Sequence, residues 1–312
     1  MSQLDLISFG ESMVEFFAEQ PLADALVFQK AYGGDAMNVL VAAARLGARG
    51  GFISKVGDDP FARYLRAEWQ REGLDLTHAP VVPGFNAVYF ITVLEGGQRE
   101  FTYYRAGSAA STFRAEELPL AALTTAKAFY TSGITQALGP NCRAAVLAAV
   151  RAARAAGVFV AFDPNLRLKL WTLAEARAAF AEVLPYTDAV LISGPEESRT
   201  LLELDDPVEI AASLHARGVR IVGVKQGERG CTVSTEGRCE QVPALPVAVV
   251  DTTGAGDAFN GAFLYGMTQG WDAIASARLG VVHASLKCRG RGAVASLPAR
   301  DETYAAAQLR SL

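Results

Sequence analysis

Residues 247–270 read VAVVDTTGAGDAFNGAFLYGMTQG: an apolar run at 247–250, the segment Asp251-Thr252-Thr253-Gly254-Ala255-Gly256-Asp257, and a helical apolar pattern that stops at Gly270. A glycine turn that opens a helix leaves backbone N–H groups without intrahelical partners, at the end where the helix dipole favours negative charge. Gly254, Ala255 and Gly256 carry nothing larger than a methyl group, so phosphate oxygens can approach that backbone. The segment therefore predicts an anion hole at the amides of residues 254–257. Asp257 falls in the first turn of the same helix. An acid at that position often serves only to offset the dipole. Beside a phosphate-binding turn, it also stands where a base accepts the proton of a hydroxyl attacking a phosphoryl group.

Outward from this segment, short β-rich runs recur: LDLISFG at 4–10, GFISKVG at 51–57, KAFYTSG at 127–133, VFVAFDP at 158–164, DAVLISG at 188–194 and VRIVGVKQG at 219–227. Each is mostly apolar rather than alternating, as strands covered on both faces are. Helical patterns separate them at 36–47, 61–73, 141–157 and 172–184, several closed by the glycine expected just past a helix end. This order predicts a three-layer α/β sandwich around a largely parallel sheet. Residues 11–32 and 85–106 break the alternation with period-two patterns, the second with a Glu95-Gly96-Gly97-Gln98 turn between aromatic-rich arms. They predict a hairpin and a small antiparallel sheet forming a lid over the edge where strands end and ligands collect. No repeat or linker divides the chain, so residues 1–312 read as a single domain.

Composition narrows the partners. With 29 basic against 33 acidic residues the formal net charge is -4, so no global positive field holds nucleic acid or an anionic membrane. The four cysteines and three histidines show neither zinc-ligand spacing nor a disulfide framework. The N-terminus lacks a signal-peptide pattern and no uncharged apolar stretch reaches membrane-spanning length, so a cytoplasmic protein is expected. No G-x-x-x-x-G-K-[ST], no strand-linked G-x-G-x-x-G near the N-terminus and no protein-kinase signature occurs.

Further candidates surround the glycine segment. Gly33-Gly34 predicts a tight turn into a helix, where a polar ligand can approach the backbone and Asn38 can both donate to and accept from hydroxyls. Arg105 ends the arm EFTYYR, with Tyr89 and Tyr103 on the two arms of the hairpin; a planar guanidinium with phenol neighbours suits a carboxylate or a polyol end. Arg167, in Asp163-Pro164-Asn165-Leu166-Arg167, follows a strand at the carboxyl edge of the sheet.

The segment 251–259 resembles the C-terminal signature of the ribokinase-like (PfkB) carbohydrate kinases, and Gly33-Gly34-Asp35-Ala36-Met37-Asn38 resembles their N-terminal one, with nearly the whole chain between them. The resemblance implies a Rossmann-like α/β body with a β lid, Asp257 as catalytic base, and an anion hole at 254–257. It implies ATP with Mg²⁺, Glu197 acting on the metal indirectly, and a monovalent cation such as K⁺ beside Asp251 and Thr253. Gly194 stands where the family often has Asn. Lys225, Gly227 and Gly230 resemble the family turn along the ATP phosphates, with Asn165 and Arg167 nearby, and residues 283–291 are expected to wall the adenine. TYYRAGSAAS at 102–111, SGITQAL at 132–138 and DPNLRLKLW at 163–171 resemble 2-keto-3-deoxygluconate kinases first and fructokinases second. A sugar-acid kinase forming the 6-phosphate is thus expected, with fructokinase as the alternative and a non-enzymatic sensor as the reading from another class. Lid pairing in the family implies a homo-oligomer.

Overall fold

The computed structural model describes residues 3–94, 98–235 and 237–308. Its strands are β1 (Leu6–Phe9), β2 (Met13–Ala18), β3 (Gln29–Gly33), β4 (Gly50–Ile53), β5 (Val56–Gly57), β6 (Val81–Val82), β7 (Val88–Val93), β8 (Arg99–Tyr104), β9 (Ala128–Ser132), β10 (Phe159–Asp163), β11 (Ala189–Ser193), β12 (Ile221–Lys225), β13 (Cys231–Thr235) and β14 (Arg238–Val242). The helices used below are α1 (Asp35–Leu46), α2 (Pro140–Ala155), α3 (Leu173–Val183), α4 (Pro207–His215), α5 (Ala255–Thr268) and α6 (Ala273–Lys287).

Eight strands form the main sheet in the order β14-β13-β12-β11-β10-β9-β1-β4. The pairs from β4 through β12 are parallel, and β13 and β14 add an antiparallel edge. Successive residues of each apolar run feed different cores. Ala128, Tyr130, Ala189 and Leu191 join the cluster that holds α1, α5 and α6. Phe129, Val190 and Ile192 join the one that holds α2, α3 and α4. A continuous apolar strand is thus what two covering helix layers require. The run at 51–57 is not one strand: it divides into β4 of the main sheet and β5, which pairs with β6 outside it.

The second sheet, expected from the sequence to act as a lid and so called the lid below, has four strands in the order β3-β2-β7-β8. The expectation of a purely antiparallel lid is corrected here, because its central pair, β2 with β7, is parallel. Parallel neighbours need a crossover connection, and the body elements from α1 to β6 supply it. The hairpin of β7 and β8 forms as expected, closed by Leu94 N–H donating to the Gln98 carbonyl at 2.8 Å. Residues 95–97 of its turn lie outside the described residues.

Helices α1 and α5 cross at close range. A Cβ on Gly261 would meet the Val39 carbonyl oxygen at 2.4 Å and the Ala42 Cβ at 2.6 Å. Only a hydrogen at this crossing lets the two helices approach so near, and they carry Asn38 and Asp257 respectively.

Candidate active site

Strands β1, β9, β10, β11 and β12 end along one edge, and beyond it lies a cavity of about 1080 Å³ lined from the body by Asp163, Ser193 and Lys225 and from the lid by Tyr89, Arg99, Tyr103 and Arg105. Ligand sites of open α/β sheets lie outside the carboxyl ends of strands for the same geometric reason. The volume is ample for a nucleotide and a small second substrate together.

Asp257 faces this cavity from the first turn of α5. Asn38, from the first turns of α1, donates its Nδ2–H to Asp257 Oδ2 at 2.7 Å. Burial, then the charges of Asp35 and Asp163, push the Asp257 carboxyl up to about 7, against the Asn38 hydrogen bond and the Lys225 charge. Lys225 is fixed in turn, its Nζ donating to Asp163 Oδ2 at 2.6 Å and to Asn260 Oδ1 at 3.3 Å. Asn260 also donates to Asp163 Oδ2 at 2.6 Å. The result is a carboxylate able to take up a proton near neutral pH, with an ammonium beside it.

The glycine turn lies on the cavity, with one of its four amides turned away. Gly254 caps α5 in the left-handed region at φ 75° without a side-chain cap. Among the described residues the N–H groups of Gly254, Gly256 and Asp257 have no hydrogen-bond acceptor. Ala255 N–H instead donates to the Thr252 carbonyl at 3.0 Å, so it drops out of the expected anion hole. Lys225 Nζ lies below the turn, 3.4 Å from where a Cβ on Gly256 would be. An anion here would meet three amides and one ammonium.

The other expected residues divide. Gly34 lines the cavity at φ 147°, and a Cβ there would sit 2.4 Å from the Glu11 carbonyl. Gly33 does not line it and packs instead under the Tyr89 hydroxyl. Tyr89 also lines the cavity, but its hydroxyl donates to the buried Glu15. Arg105 forms an ion pair with Glu11, which is 1% exposed, so it is not the free guanidinium expected from the sequence. Burial, reinforced by the Asp35 charge and opposed by Arg105, pushes Glu11 up to about 7. Arg167 is exposed at the cavity mouth, with one bond to the neighbouring Leu166 carbonyl at 2.9 Å. Asn165 donates weakly to Asp35 Oδ2 at 3.4 Å. Gly227 lines the cavity, whereas Gly230 does not: a Cβ there would strike the Val242 carbonyl at 2.0 Å, so its role is to turn the chain into β13. Glu197 lines the cavity and accepts the N–H groups of Leu166 and Ser193, the latter at 2.7 Å, thereby bracing the loop after β10. Residues 283–291 do not wall the cavity; His283 and Lys287 are fully buried, and Ala293 is the residue that reaches it from this side.

The profile of the pfkB family carbohydrate kinases matches residues 3–300. The chain belongs to this family. It is 35% identical over 311 residues to fructokinase-2 of Solanum habrochaites, covering 95% of this chain and 94% of that protein. A fructokinase structure with bound ATP from Xylella fastidiosa superposes with a TM-score of 0.86 at 27% identity, covering 97% and 98% of the two chains. The 2-dehydro-3-deoxygluconokinase of Thermotoga maritima superposes with a TM-score of 0.90, covering 98% and 99%; at 24% identity this likeness shows the fold alone. This carbohydrate kinase thus has the ribokinase-like fold, and no helix among its described residues is long and apolar enough to cross a membrane.

Beside the anion hole, the oxygens of Asp251 and Thr253, where a monovalent cation is expected from the sequence, are met by donors of the protein. Asp251 Oδ1 accepts the Thr253 N–H at 2.9 Å and forms an ion pair with Arg99 of β8; Oδ2 accepts the Gly292 N–H at 2.8 Å. Arg99 also donates to Thr253 Oγ1 at 3.3 Å. Burial opposes the Asp251 charge, but these donors outweigh it and hold the carboxyl down at about 2. The Asp251 carbonyl accepts from Lys287 Nζ at 2.8 Å. An Asn at position 194 would need the Val224 side chain to shift, since a Cβ there comes within 2.9 Å of Val224 Cγ1.

Five residues of this constellation escaped the sequence reading: Glu11, Asp35, Asp163, Arg99 and Lys287. Asp35 and Asp163 lay inside segments already singled out, one beside the Gly-Gly turn and the other at the last position of a strand. Lys287 lay inside the 283–291 stretch expected at the adenine, and neither it nor Glu11 and Arg99 signalled its partner, which is far away in sequence.

Proposed function

We propose that this kinase transfers the γ-phosphoryl group of ATP to the terminal C6 hydroxyl of 2-keto-3-deoxygluconate. The observation that carries the sugar-acid reading is the grouping of Tyr103, Arg105 and Arg167 on the cavity wall. The charges of both arginines act on the Tyr103 hydroxyl, and the Arg105 guanidinium lies 5.8 Å from the Tyr103 ring centre. A carboxylate placed there meets the exposed Arg167 guanidinium, a phenol O–H and the Arg105 guanidinium that Glu11 already pairs, the setting for a charge-assisted contact. The sugar hydroxyl at the other end faces Asp257, which takes its proton as the hydroxyl attacks; Asn38 holds that carboxylate in place. Charge on the transferred group is received by the amides of Gly254, Gly256 and Asp257 and by Lys225, a pre-set arrangement that needs no reorganisation. ATP brings Mg²⁺, which neutralises phosphate charge when bound. Each Glu197 oxygen accepts one amide and keeps a second lone pair, so the residue fits an indirect role toward a metal-bound water.

A fructose reading has its own support. Among the described residues, Asp35 Oδ1 and Asn38 Oδ1 are buried acceptors without partners and call for hydroxyl donors, Glu11 already balances the Arg105 charge, and the Solanum relative is a fructokinase. The deciding measurement is kcat/KM for both sugars in the parent and in Arg167→Ala, chosen because Arg167 has no buried side-chain partner among the described residues to strand. We expect a preference for the sugar acid and a loss of about 10²-fold on it in the variant, from a contact worth about 2–3 kcal/mol. A parent that prefers fructose, or a variant that keeps full sugar-acid activity, sinks the proposal. The exposed lid residues Leu26, Val27, Phe85 and Tyr104 make pairing of two copies part of the same reading.

A further inference from the structure

We infer that this kinase carries its own cation at the turn beside the anion hole, the Lys287 ammonium supported by the Arg99 guanidinium, and that it works without a monovalent metal ion. A hard cation is held by oxygen ligands, and the oxygens of Asp251 are the natural ones here. Each already accepts at least one donor of the protein, and two of those donors are cations. The carbonyl oxygen receives Lys287 Nζ at 2.8 Å, Oδ1 receives Arg99 and the Thr253 N–H, Oδ2 receives the Gly292 N–H, and Thr253 Oγ1 is also reached by Arg99.

Charge bookkeeping leads to the same place. Lys287 is fully buried at the end of α6, and Asp251 is 5% exposed. Glu15, 4% exposed on β2, is within charge range of Asp251, Lys287 and Arg99. With Glu15 ionised, the carboxylates of Asp251 and Glu15 balance Lys287 and Arg99; the Asp257 carboxylate is also in charge range of Lys287 but faces the cavity. With Glu15 protonated, the four groups already hold one positive charge in excess. These four groups offer a further cation no net negative charge to offset its loss of water, and with Glu15 protonated it also meets net repulsion.

A built-in ammonium also differs in function from a bound ion. Lys287 fixes the carbonyl of Asp251 and so the path of the chain into the amides of Gly254, Gly256 and Asp257. We assign it as a positioning residue, since it touches neither the cavity nor its contents.

The first test uses the unaltered protein. Phosphorylation of 2-keto-3-deoxygluconate and of fructose is measured by ADP release in potassium, sodium and tetramethylammonium chloride at equal ionic strength, and thermal unfolding is followed without sugar in the same salts. We expect rates within about threefold across the salts and no stabilisation specific to potassium. Potassium stimulation beyond threefold, or a Tm rise in potassium alone, overturns the inference. Inactivity on both sugars in every salt would count against the substrate reading only, and the unfolding arm would still decide the cation. The second test is Lys287→Met. Its rate in tetramethylammonium should fall about tenfold or more and be raised severalfold by potassium entering the vacated place. A folded variant with parental activity in tetramethylammonium overturns the role given to Lys287. If Lys287→Met does not fold, the salt series on the parent carries the decision.

Discussion

Replacing Asn38 with Ala isolates what holds the proposed base near neutrality. The Asn38 amide donates one hydrogen bond to Asp257, at 2.7 Å, and thereby favours the ionised carboxylate. A hydrogen bond to a charged group contributes about 1.5–3 kcal/mol, which at about 1.4 kcal/mol per pKa unit is about one to two units. The carboxyl now at about 7 should therefore titrate at about 8 to 9 in the variant. Because the ionised form is the active one, the acid limb of the pH profile moves upward. At pH 7 the ionised fraction falls from about one half to between about a tenth and a hundredth, so kcat/KM should drop about 5- to 50-fold from this cause alone. Much of that loss should return at higher pH. The profile of kcat/KM, measured by ADP release across the neutral and alkaline range, separates this effect from any lost contact between Asn38 Oδ1 and sugar, which lowers the plateau without moving the limb. Asp35, Asp163 and Glu11 share the field, so the limb belongs to the cluster as a whole. A limb that stays near pH 7 in the variant refutes the reasoning.

Two further outcomes follow from the same site. Asp257→Asn keeps the shape but removes the base, and kcat should fall by about 10²–10⁴-fold with nucleotide affinity, read by calorimetry, nearly unchanged; near-normal turnover would remove Asp257 from the mechanism. Gly261→Ala pushes a methyl group into the α1–α5 crossing and should cost roughly 1–3 kcal/mol in denaturant unfolding while lowering kcat through the Asn38–Asp257 contact; a variant as stable and active as the parent would show that the crossing opens freely.

What the sequence discloses is what local chemistry specifies. Six parallel strands were legible because burial on both faces leaves a continuous apolar run, and the anion turn because glycines at a helix start have few other uses. The split of 51–57 was not, since the break between β4 and β5 depends on pairing with β6, some 25 residues later. The parallel register of β2 and β7 likewise leaves no mark on either strand. At the site, Asp257, Asn38, Gly34 and Arg167 were found where expected, while Gly230 was misassigned because a glycine in a phosphate-like turn and one avoiding the Val242 carbonyl look alike in one dimension. The engagement of Arg105 by Glu11, and of Asp251 by Arg99 and Lys287, is a property of charges brought together by folding.

The parallel pairing at the centre of the lid has a consequence for assembly and for engineering. Strand β2 and its neighbour β7 are separated by the whole α1-to-β6 crossover, so the lid sheet closes a long loop and cannot condense as a local hairpin meander does. Only the β2–β3 and β7–β8 pairs are local, and each is by itself a two-stranded ribbon of marginal stability. The lid should therefore consolidate only after the first βαβ unit of the body has docked, and it cannot be exchanged between relatives as one cassette. A graft must carry two separate segments and leave the body between them to set their register.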